Sequence, residues 1–309
     1  MGTRWRVCAV LPRATRALPT LHDAIQQRLD GVVAQMSTWE ADSDISGFNR
    51  AAAGSWQRLP QACFAVLRCA LDIAADSDGA YDPTVAPLVA LWGFGAHAGA
   101  QRVPDAAALA AARARVGWQR LQLRAHETSA LQPGGMALDL SAIAKGHGVD
   151  AVVDCLRARD VTAALVDVGG EVFGAGCKPD GTPWRVAIED SADDALPGQA
   201  HDACVLRLDG IAAATSGDCW HHFEHGGRRY AHTIDPRTGA PVMHAPVAVT
   251  VLAGTAMAAD AWSTALTAMG AEAGLVFAGV RGMAARFVVR GVDGIVVTAT
   301  PAFDECVAR

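Results

Sequence analysis

The sequence predicts an α+β protein, in which helices and strands are mixed without a regular β-α-β alternation. Apolar residues at helical spacing mark several separate helices along the chain. Short apolar runs bounded by glycine or proline predict strands between them. With 309 residues, 51% of them hydrophobic, the chain can bury the core of one large domain or of two lobes.

The first part of the chain contains three predicted helices. A strand at 6–11 precedes a helix whose apolar face consists of Leu21, Ile25, Leu29, Val32 and Met36. Residues 37–49 are too rich in Ser, Asp and Gly for a regular core element. A second helix at 61–76 ends at Asp78 and Gly79, a helix-ending signal, and a third covers 105–116.

The remainder mixes both types of element. Strands are predicted at 121–123, 137–140, 163–168, 184–188, 204–208 and 247–252, and helices at 145–157 and 258–269. A hairpin with strands at 287–289 and 295–298 closes the chain. Connections near 95–104 and 176–183, rich in Pro and Gly, are the candidates for lobe boundaries.

Composition argues against several partner classes. A net charge of -6 gives no reason to expect nucleic acid or an anionic membrane surface. The eight cysteines form no C-x-x-C pair and no spacing typical of structural zinc. No apolar stretch has the length of a signal peptide or a membrane span, so we expect a cytoplasmic protein that does not insert into a membrane. A periplasmic lipoprotein whose leader has been removed would leave the same evidence.

Asp260 and Thr264 lie four residues apart in the predicted helix 258–269 and therefore project from one face. A carboxylate and a hydroxyl suit Mg²⁺, which takes one or two carboxylates and completes its shell with phosphates and water. Asp and Thr are also common helix caps. Spacing alone favours the capping interpretation and leaves the metal site as the alternative.

Residues 138–148 run from a predicted strand through small residues into a helix with Lys145 near its start. Backbone N–H groups at such a helix start can hold phosphate oxygens, and Lys145 can add a positive charge. The spacing is not that of a Walker A loop. An ordinary strand-to-helix turn explains the pattern equally well, so both interpretations stay open.

His232 lies just before the turn 235–239, whose Asp-Pro-Arg-Thr-Gly sequence favours a turn. Near a phosphate site, a histidine can act as general base for a hydroxyl nucleophile. A single histidine is more often structural. His221, His222 and His225 lack the H-E-x-x-H spacing, and we expect a solvated or partly stacked face there.

Two aromatic residues are candidates for stacking on a flat ligand. Tyr81 lies in segment 79–95, where two prolines predict a rigid extended loop, and Trp39 lies in the earlier polar segment. Core packing explains the neighbouring Trp92 and Phe94 as well as ligand contact does.

Taken in order, nine segments resemble the FAD:protein FMN transferase family, also called the ApbE or thiamine biosynthesis lipoprotein family. They are 1–3, 36–39 with 43–49, 79–95, 138–148, 167–170, 178–190, 215–217, 232–241 and 259–265. The resemblance covers nearly all of 1–309 and rests on the order of the segments. It implies one domain of the family's α+β fold, with two lobes and FAD bound in the cleft between them.

The resemblance also implies the residues of the site. The flavin and nucleotide contacts would be Met1, Trp39, Ala80, Tyr81, Asp82, Asp139, Lys145, Ser216, Gly217 and Ile234. Magnesium would be held by Asp260 and Thr264, with oxygen from the backbone carbonyls of Ala142 and Ser263. His232 matches the family histidine that helps to activate the acceptor hydroxyl.

The implied activity is magnesium-dependent cleavage of FAD. FMN becomes attached through a phosphoester bond to a Thr or Ser hydroxyl of a target flavoprotein, and AMP leaves; the metal stabilises the charge that develops on the phosphoryl oxygens. One alternative is an FAD pyrophosphatase that gives FMN and AMP. Another is a non-catalytic protein that binds or stores FAD.

Three positions depart from the family pattern. Cys219 replaces a frequent aromatic residue, and Trp39 stands where tyrosine is frequent. Ala142 occupies a position where some members carry a side-chain oxygen, so only its backbone can coordinate a metal. None of the three removes a required functional group, but they bear on metal affinity and on the balance between transfer and hydrolysis.

Overall fold

A computed structural model of the chain describes residues 2–12, 18–96, 98–188, 204–217, 222–243, 245–292 and 294–308. Within them the helices are α1 (Leu18–Met36), α2 (Asp44–Arg50), α3 (Gln61–Asp76), α4 (Ala86–Leu91), α5 (Ala106–Arg113), α6 (Ser141–Arg157), α7 (Ala256–Met269), α8 (Ala271–Val280) and α9 (Pro301–Asp304). None of these helices has the length and apolar character needed to cross a membrane.

The strands within the same residues are β1 (Trp5–Ala9), β2 (Trp56–Arg58), β3 (Leu123–Arg124), β4 (Ser129–Leu131), β5 (Ala164–Val168), β6 (Glu171–Ala175), β7 (Trp184–Ile188), β8 (Cys204–Leu208), β9 (Ile211–Ser216), β10 (His222–His225), β11 (Arg228–Ala231), β12 (Ile234–Asp235), β13 (Ala240–Pro241), β14 (Ala248–Ala253), β15 (Ala284–Gly291) and β16 (Gly294–Ala299). Helices and strands are mixed throughout the chain, which confirms the α+β prediction.

The chain folds into two compact units, each assembled from separate stretches. Unit 1 consists of Met1–Asp30, Lys145–Cys219 and Ala245–Arg309, and unit 2 of Gly31–Ala144 and Trp220–His244. The candidate boundaries at 95–104 and 176–183 are wrong, because each lies inside one unit. Two of the divisions fall within helices α1 and α6, where no break in composition marks them.

Unit 1 is built on a seven-stranded sheet with the order β1-β5-β6-β9-β14-β15-β16. Every neighbouring pair is antiparallel, which explains why the sequence has no β-α-β rhythm. Helix α7 packs on β9 and β14. Apolar residues of α6, among them Val149, Val152 and Leu156, share one core cluster with β5 residues such as Val166. The closing hairpin of β15 and β16 is confirmed.

Unit 2 combines helices with three small sheets. The strands β2, β4 and β3 form one of them, and β10 with β11 and β12 with β13 form two-stranded ladders. Leu88 and Trp92 pack with Phe223 and Ile234 in one core cluster. The indole N–H of Trp92 donates to the carbonyl of Gly239 at 2.9 Å and so holds the predicted turn at 235–239 in place.

The predicted strand at 137–140 is wrong. The side chain of Asn49 takes both backbone groups of Leu138: its Nδ2 donates to the carbonyl at 2.9 Å, and its Oδ1 accepts from the N–H at 2.7 Å. The N–H of Asp139 donates to the carbonyl of Pro83. A side chain therefore replaces the neighbouring strand, and the only strand-like pairing in this part of the described chain is a single bridge between Val85 and Ala137.

Two segments predicted to lack helices contain short ones. In the polar segment 37–49, Ser43 caps α2 by accepting from the N–H of Ser46 at 3.1 Å, and Ile45 and Phe48 are buried. In the loop 79–95, a proline in the first turn of α4 is compatible with a helix, because it lacks only an N–H that has no helical partner there. Both predictions failed since polar capping residues and prolines can begin a helix as well as break one.

Candidate functional site

Asp260 lies in the interior of α7 and is only 1% exposed. Its Oδ2 accepts from the backbone N–H of Gly146 at 3.0 Å, and its Oδ1 lies 3.3 Å from Nζ of Lys145. The helix is capped elsewhere: the hydroxyl of Thr255 accepts from the N–H of Ala258, and Thr255 is the N-cap. The capping interpretation of Asp260 and Thr264 is therefore wrong, and the burial of the Asp260 carboxylate needs another explanation.

Lys145 connects Asp260 to a second buried acid. Its Nζ lies 2.9 Å from Oε1 of Glu171, the first residue of β6, which is 3% exposed. Burial alone lowers the pKa of Lys145, but the carboxylates of Asp260 and Glu171 outweigh it and hold that pKa above its ordinary value. Burial raises the pKa of Glu171 to about 7, with Lys145 opposing the shift and Asp260 adding to it.

Three hydroxyl groups form a cluster in unit 1. The Oγ of Ser216, at the end of β9, lies 2.8 Å from Oγ of Ser263 and 3.0 Å from Oγ1 of Thr264. Ser263 also donates to the backbone carbonyl of Asp260 at 2.8 Å. The hydroxyl of Thr264 therefore lies on the side of α7 that faces the end of β9.

Two close backbone approaches explain the glycines of this region. A Cβ at Gly146 would lie 2.2 Å from the carbonyl oxygen of Ala256, and one at Gly217 would lie 2.0 Å from that of Val247. A glycine at 146 brings α6 against the start of α7, which places the Gly146 N–H on the carboxylate of Asp260.

The start of α6 departs from regular helix geometry at Ala142, whose φ and ψ are −91° and 18°. In a regular α-helix the N–H of Gly146 would donate to the carbonyl of Ala142. Here that N–H donates to Asp260. Asp139, predicted to contact the ligand, forms a local turn with the first residue of this helix: its Oδ1 accepts from the N–H of Ser141 at 2.9 Å and from the Ser141 hydroxyl.

The oxygen groups of unit 1 fit a hard cation such as Mg²⁺. Asp260 supplies a buried carboxylate, Thr264 a hydroxyl four residues further along α7, and the ammonium of Lys145 already acts as a stand-in cation at Oδ1. No group of three or more His, Cys, Asp or Glu residues able to hold a metal occurs among the described residues. A site here would therefore combine the carboxylate with hydroxyl and carbonyl oxygens, and water or ligand phosphates would complete the shell, which is usual for Mg²⁺.

In unit 2, Asp82 organises the loop that follows α3. Its Oδ1 accepts from the N–H and the hydroxyl of Thr84 at 2.8 and 2.7 Å, and its Oδ2 accepts from the N–H of Trp118 at 3.2 Å. Ala80 and Tyr81 are also buried, so the ring of Tyr81 presents little surface for stacking. In this structure Asp82 maintains the shape of the loop.

Asp82→Asn is expected to change how stability depends on pH. Burial raises the pKa of Asp82 above its ordinary value of 3.8, against the hydrogen bonds from Thr84 and Trp118. The folded state therefore binds this proton more tightly than the unfolded chain, and the contribution of Asp82 to the free energy of unfolding falls as the pH rises above that value. Urea unfolding between about pH 4 and about pH 7 should show wild type losing stability relative to the variant. A difference that grows in favour of wild type would contradict this.

Two further predicted contacts lie in unit 2. Trp39 is 71% exposed, so its ring is available for stacking. His232 is partly buried and meets the edge of Phe94, with ring centroids 6.4 Å apart, and Ile234 is buried in the same unit. The nearby His222 lies in β10 with His225, which is exposed.

Met1, His221 and Cys219 lie outside the described residues. Each of the other predicted site residues therefore has a described position, but its role toward a ligand stays a prediction.

Sequence reasoning missed Glu171 and Asp150. Asp150 accepts from the N–H groups of Ala256 and Met257 at 2.8 and 2.9 Å. The sequence contained one signal for Glu171, namely an acidic residue directly after two glycines that predict a turn.

Comparison with known proteins supports one class, the flavin transferases. A protein of Klebsiella pneumoniae (strain 342) named FAD:protein FMN transferase is 35% identical over 306 residues, which are 98% of this chain and 86% of that protein. A protein of the same name from Vibrio cholerae is 36% identical over 303 residues, which are 98% of this chain and 89% of that protein.

Solved structures that are similar to this chain are also flavin transferases. The apo form of the Pseudomonas stutzeri flavinyl transferase ApbE has a TM-score of 0.89 and 40% identity, covering 98% of this chain and 92% of that one. The flavin transferase ApbE from Vibrio cholerae has a TM-score of 0.89 and 34% identity, and the match covers 99% of this chain and 96% of that one. The ApbE family profile matches residues 1–287. This chain belongs to the ApbE family, which confirms the family prediction.

Proposed function

We propose that the protein is a flavin transferase that cleaves FAD and attaches FMN to a hydroxyl of another protein, releasing AMP. The names of its relatives support this activity. Two proteins named FAD:protein FMN transferase match this chain over 86% and 89% of their own length. The observation in this chain that carries the proposal is the buried carboxylate of Asp260, which pairs with Lys145 and lies on the same helix as Ser263 and Thr264. It combines one hard-oxygen metal ligand with one cation suited to phosphate.

Mg²⁺ is proposed to be held by Asp260 and the Thr264 hydroxyl, with backbone oxygen from Ala142 and Ser263. The burial of Asp260 beside Lys145 supports this, because the carboxylate lies where positive charge already stabilises it. At Ala142, the non-helical backbone favours a carbonyl that is available as a ligand. When bound, the metal would stabilise charge on the phosphoryl oxygens of FAD.

The flavin and nucleotide of FAD are proposed to contact a set of residues that includes Trp39 and Lys145. Trp39 offers an exposed ring for stacking, and Lys145 offers a positive charge for the phosphates. The remaining proposed contacts are Met1, Ala80, Tyr81, Asp82, Asp139, Ser216, Gly217 and Ile234. Among these, Asp82 and Asp139 hold the backbone of their loops by the hydrogen bonds described above, so they would act by shaping the pocket wall.

The acceptor is proposed to be a Thr or Ser hydroxyl of a target flavoprotein, with His232 receiving its proton. A neutral imidazole is suited to this role near neutral pH. The nucleophilic oxygen would form a bond to the phosphorus of the FMN half, and the bond from that phosphorus to the oxygen of AMP would break.

His232→Ala is expected to slow FMN transfer by about 10²-fold or more, because the acceptor hydroxyl loses its base. The Kd for FAD should change by less than about threefold, since proton transfer contributes little to binding. Single-turnover transfer and fluorescence titration with FAD measure the two quantities. His225→Ala, which removes an exposed histidine of the same unit, is the control and should leave both unchanged. A large loss of FAD affinity with normal transfer would assign His232 to binding.

One assay distinguishes the proposal from its two alternatives. The protein is incubated with FAD, Mg²⁺ and a flavoprotein domain that carries an acceptor threonine, and intact mass and nucleotides are measured. A mass gain equal to FMN on the acceptor, with release of AMP, supports transfer. Free FMN and AMP without labelling would indicate a pyrophosphatase, and intact bound FAD would indicate a storage protein.

A further inference from the structure

Glu171 is a buried acid that none of the roles above uses. It lies at the start of β6, directly after Gly169 and Gly170, whose φ angles are +70° and +104°. Strand β6 pairs on one side with β5 and on the other with β9. Its backbone is therefore fixed inside the sheet, and a side chain at this position makes a rigid anchor.

The contact of Glu171 with Lys145 is shorter than that of Asp260. The Nζ of Lys145 lies 2.9 Å from Oε1 of Glu171 and 3.3 Å from Oδ1 of Asp260. A lysine side chain is long and flexible, and its ammonium carries three donors, so a fixed acceptor decides where the charge sits. Glu171 supplies that fixed acceptor.

Stability does not explain this acid well. The Oε2 of Glu171 is buried and has no hydrogen-bond partner among the described residues. A buried carboxylate oxygen without a partner costs free energy, and a buried ion pair is often no more stable than apolar packing. Such a group points to a role in the site.

The charges suggest that role. The single ammonium of Lys145 is shared between Glu171 and Asp260, so a closer hold by Glu171 weakens its hold on Asp260. Without Glu171, the single positive charge of Lys145 would neutralise Asp260 and compete with the metal for its Oδ1.

We propose that Glu171 is a positioning residue, which holds the ammonium of Lys145 so that the carboxylate of Asp260 remains available to a divalent cation. The inference rests on the proposed magnesium site and adds a residue to it that acts through Lys145. It predicts that metal affinity depends on Glu171 only while Lys145 is present.

The test measures Mn²⁺ affinity of the purified full chain by electron paramagnetic resonance, without FAD. Glu171→Gln keeps the shape and an acceptor but removes the charge, and it should weaken Mn²⁺ binding about tenfold. Glu171→Asp keeps the charge but shortens the reach to Lys145, and it should also weaken binding. Asp209→Asn removes an exposed negative charge from the same unit and, as the control for net charge, should change the affinity by less than about twofold.

The Lys145→Met background isolates the mechanism. Removing the competing ammonium should not weaken Mn²⁺ binding, and adding Glu171→Gln to this variant should cost less than about threefold. Unchanged affinity in Glu171→Gln, or a full tenfold loss that persists in the Lys145→Met background, would overturn the inference. Failure of the wild-type chain to bind Mn²⁺ would instead overturn the metal site itself, and the inference with it.

Discussion

Asp260→Ala is expected to reduce magnesium-dependent FMN transfer by about 10²- to 10³-fold, because it removes the one buried carboxylate proposed to hold the metal. Transfer would be followed by the mass of a labelled acceptor across a Mg²⁺ titration. Saturating Mg²⁺ should not restore the rate. Full activity in this variant would refute the metal assignment.

Two further variants separate loss of the metal ligand from damage to α7. Asp260→Asn keeps an oxygen that can accept from the Gly146 N–H, so the variant should fold. It should nevertheless lose most of the magnesium-dependent FMN transfer. Asp150→Ala removes the acceptor for two N–H groups at the start of the same helix. This variant should lose about 1–2 kcal/mol of stability but keep its magnesium-dependent FMN transfer.

Gly146→Ala is expected to destabilise the fold by about 2–4 kcal/mol, although alanine is the better helix former by about 1 kcal/mol. The added Cβ would lie 2.2 Å from the carbonyl oxygen of Ala256 and 2.5 Å from its carbonyl carbon. These are backbone atoms that cannot move without shifting α7, so the clash outweighs the helix propensity. Chemical denaturation would measure the loss, and Mn²⁺ affinity should fall with it, because the Gly146 N–H contacts Asp260.

Gly31→Ala is the matched control. Gly31 lies inside α1, and a Cβ there would meet nothing within 4 Å. The same substitution should therefore stabilise the protein by about 0.4–1 kcal/mol. If Gly146→Ala were as well tolerated as Gly31→Ala, the close approach between α6 and α7 would not exist in solution.

Much of the fold was predictable because its signals are local. The apolar face of α1, the end of α3 just before Asp78 and Gly79, and the closing hairpin all follow from spacing or turn chemistry within a few residues. The predicted strand at 137–140 failed because its partner is the side chain of Asn49, far away in the chain. No property of the four residues themselves indicates that partner.

The sequence by itself determined the α+β class, the family and the residues offered as metal ligands, because periodicity and the order of short motifs can be read along the chain. Whether Asp260 is a cap or a buried acid was decided only by the tertiary structure, through Thr255 at the helix start and Lys145 at the carboxylate. The ion pair of Glu171 with Lys145 is likewise visible only in the tertiary structure. An ion pair depends on which strands and helices pack side by side, and local propensity carries no information about that packing.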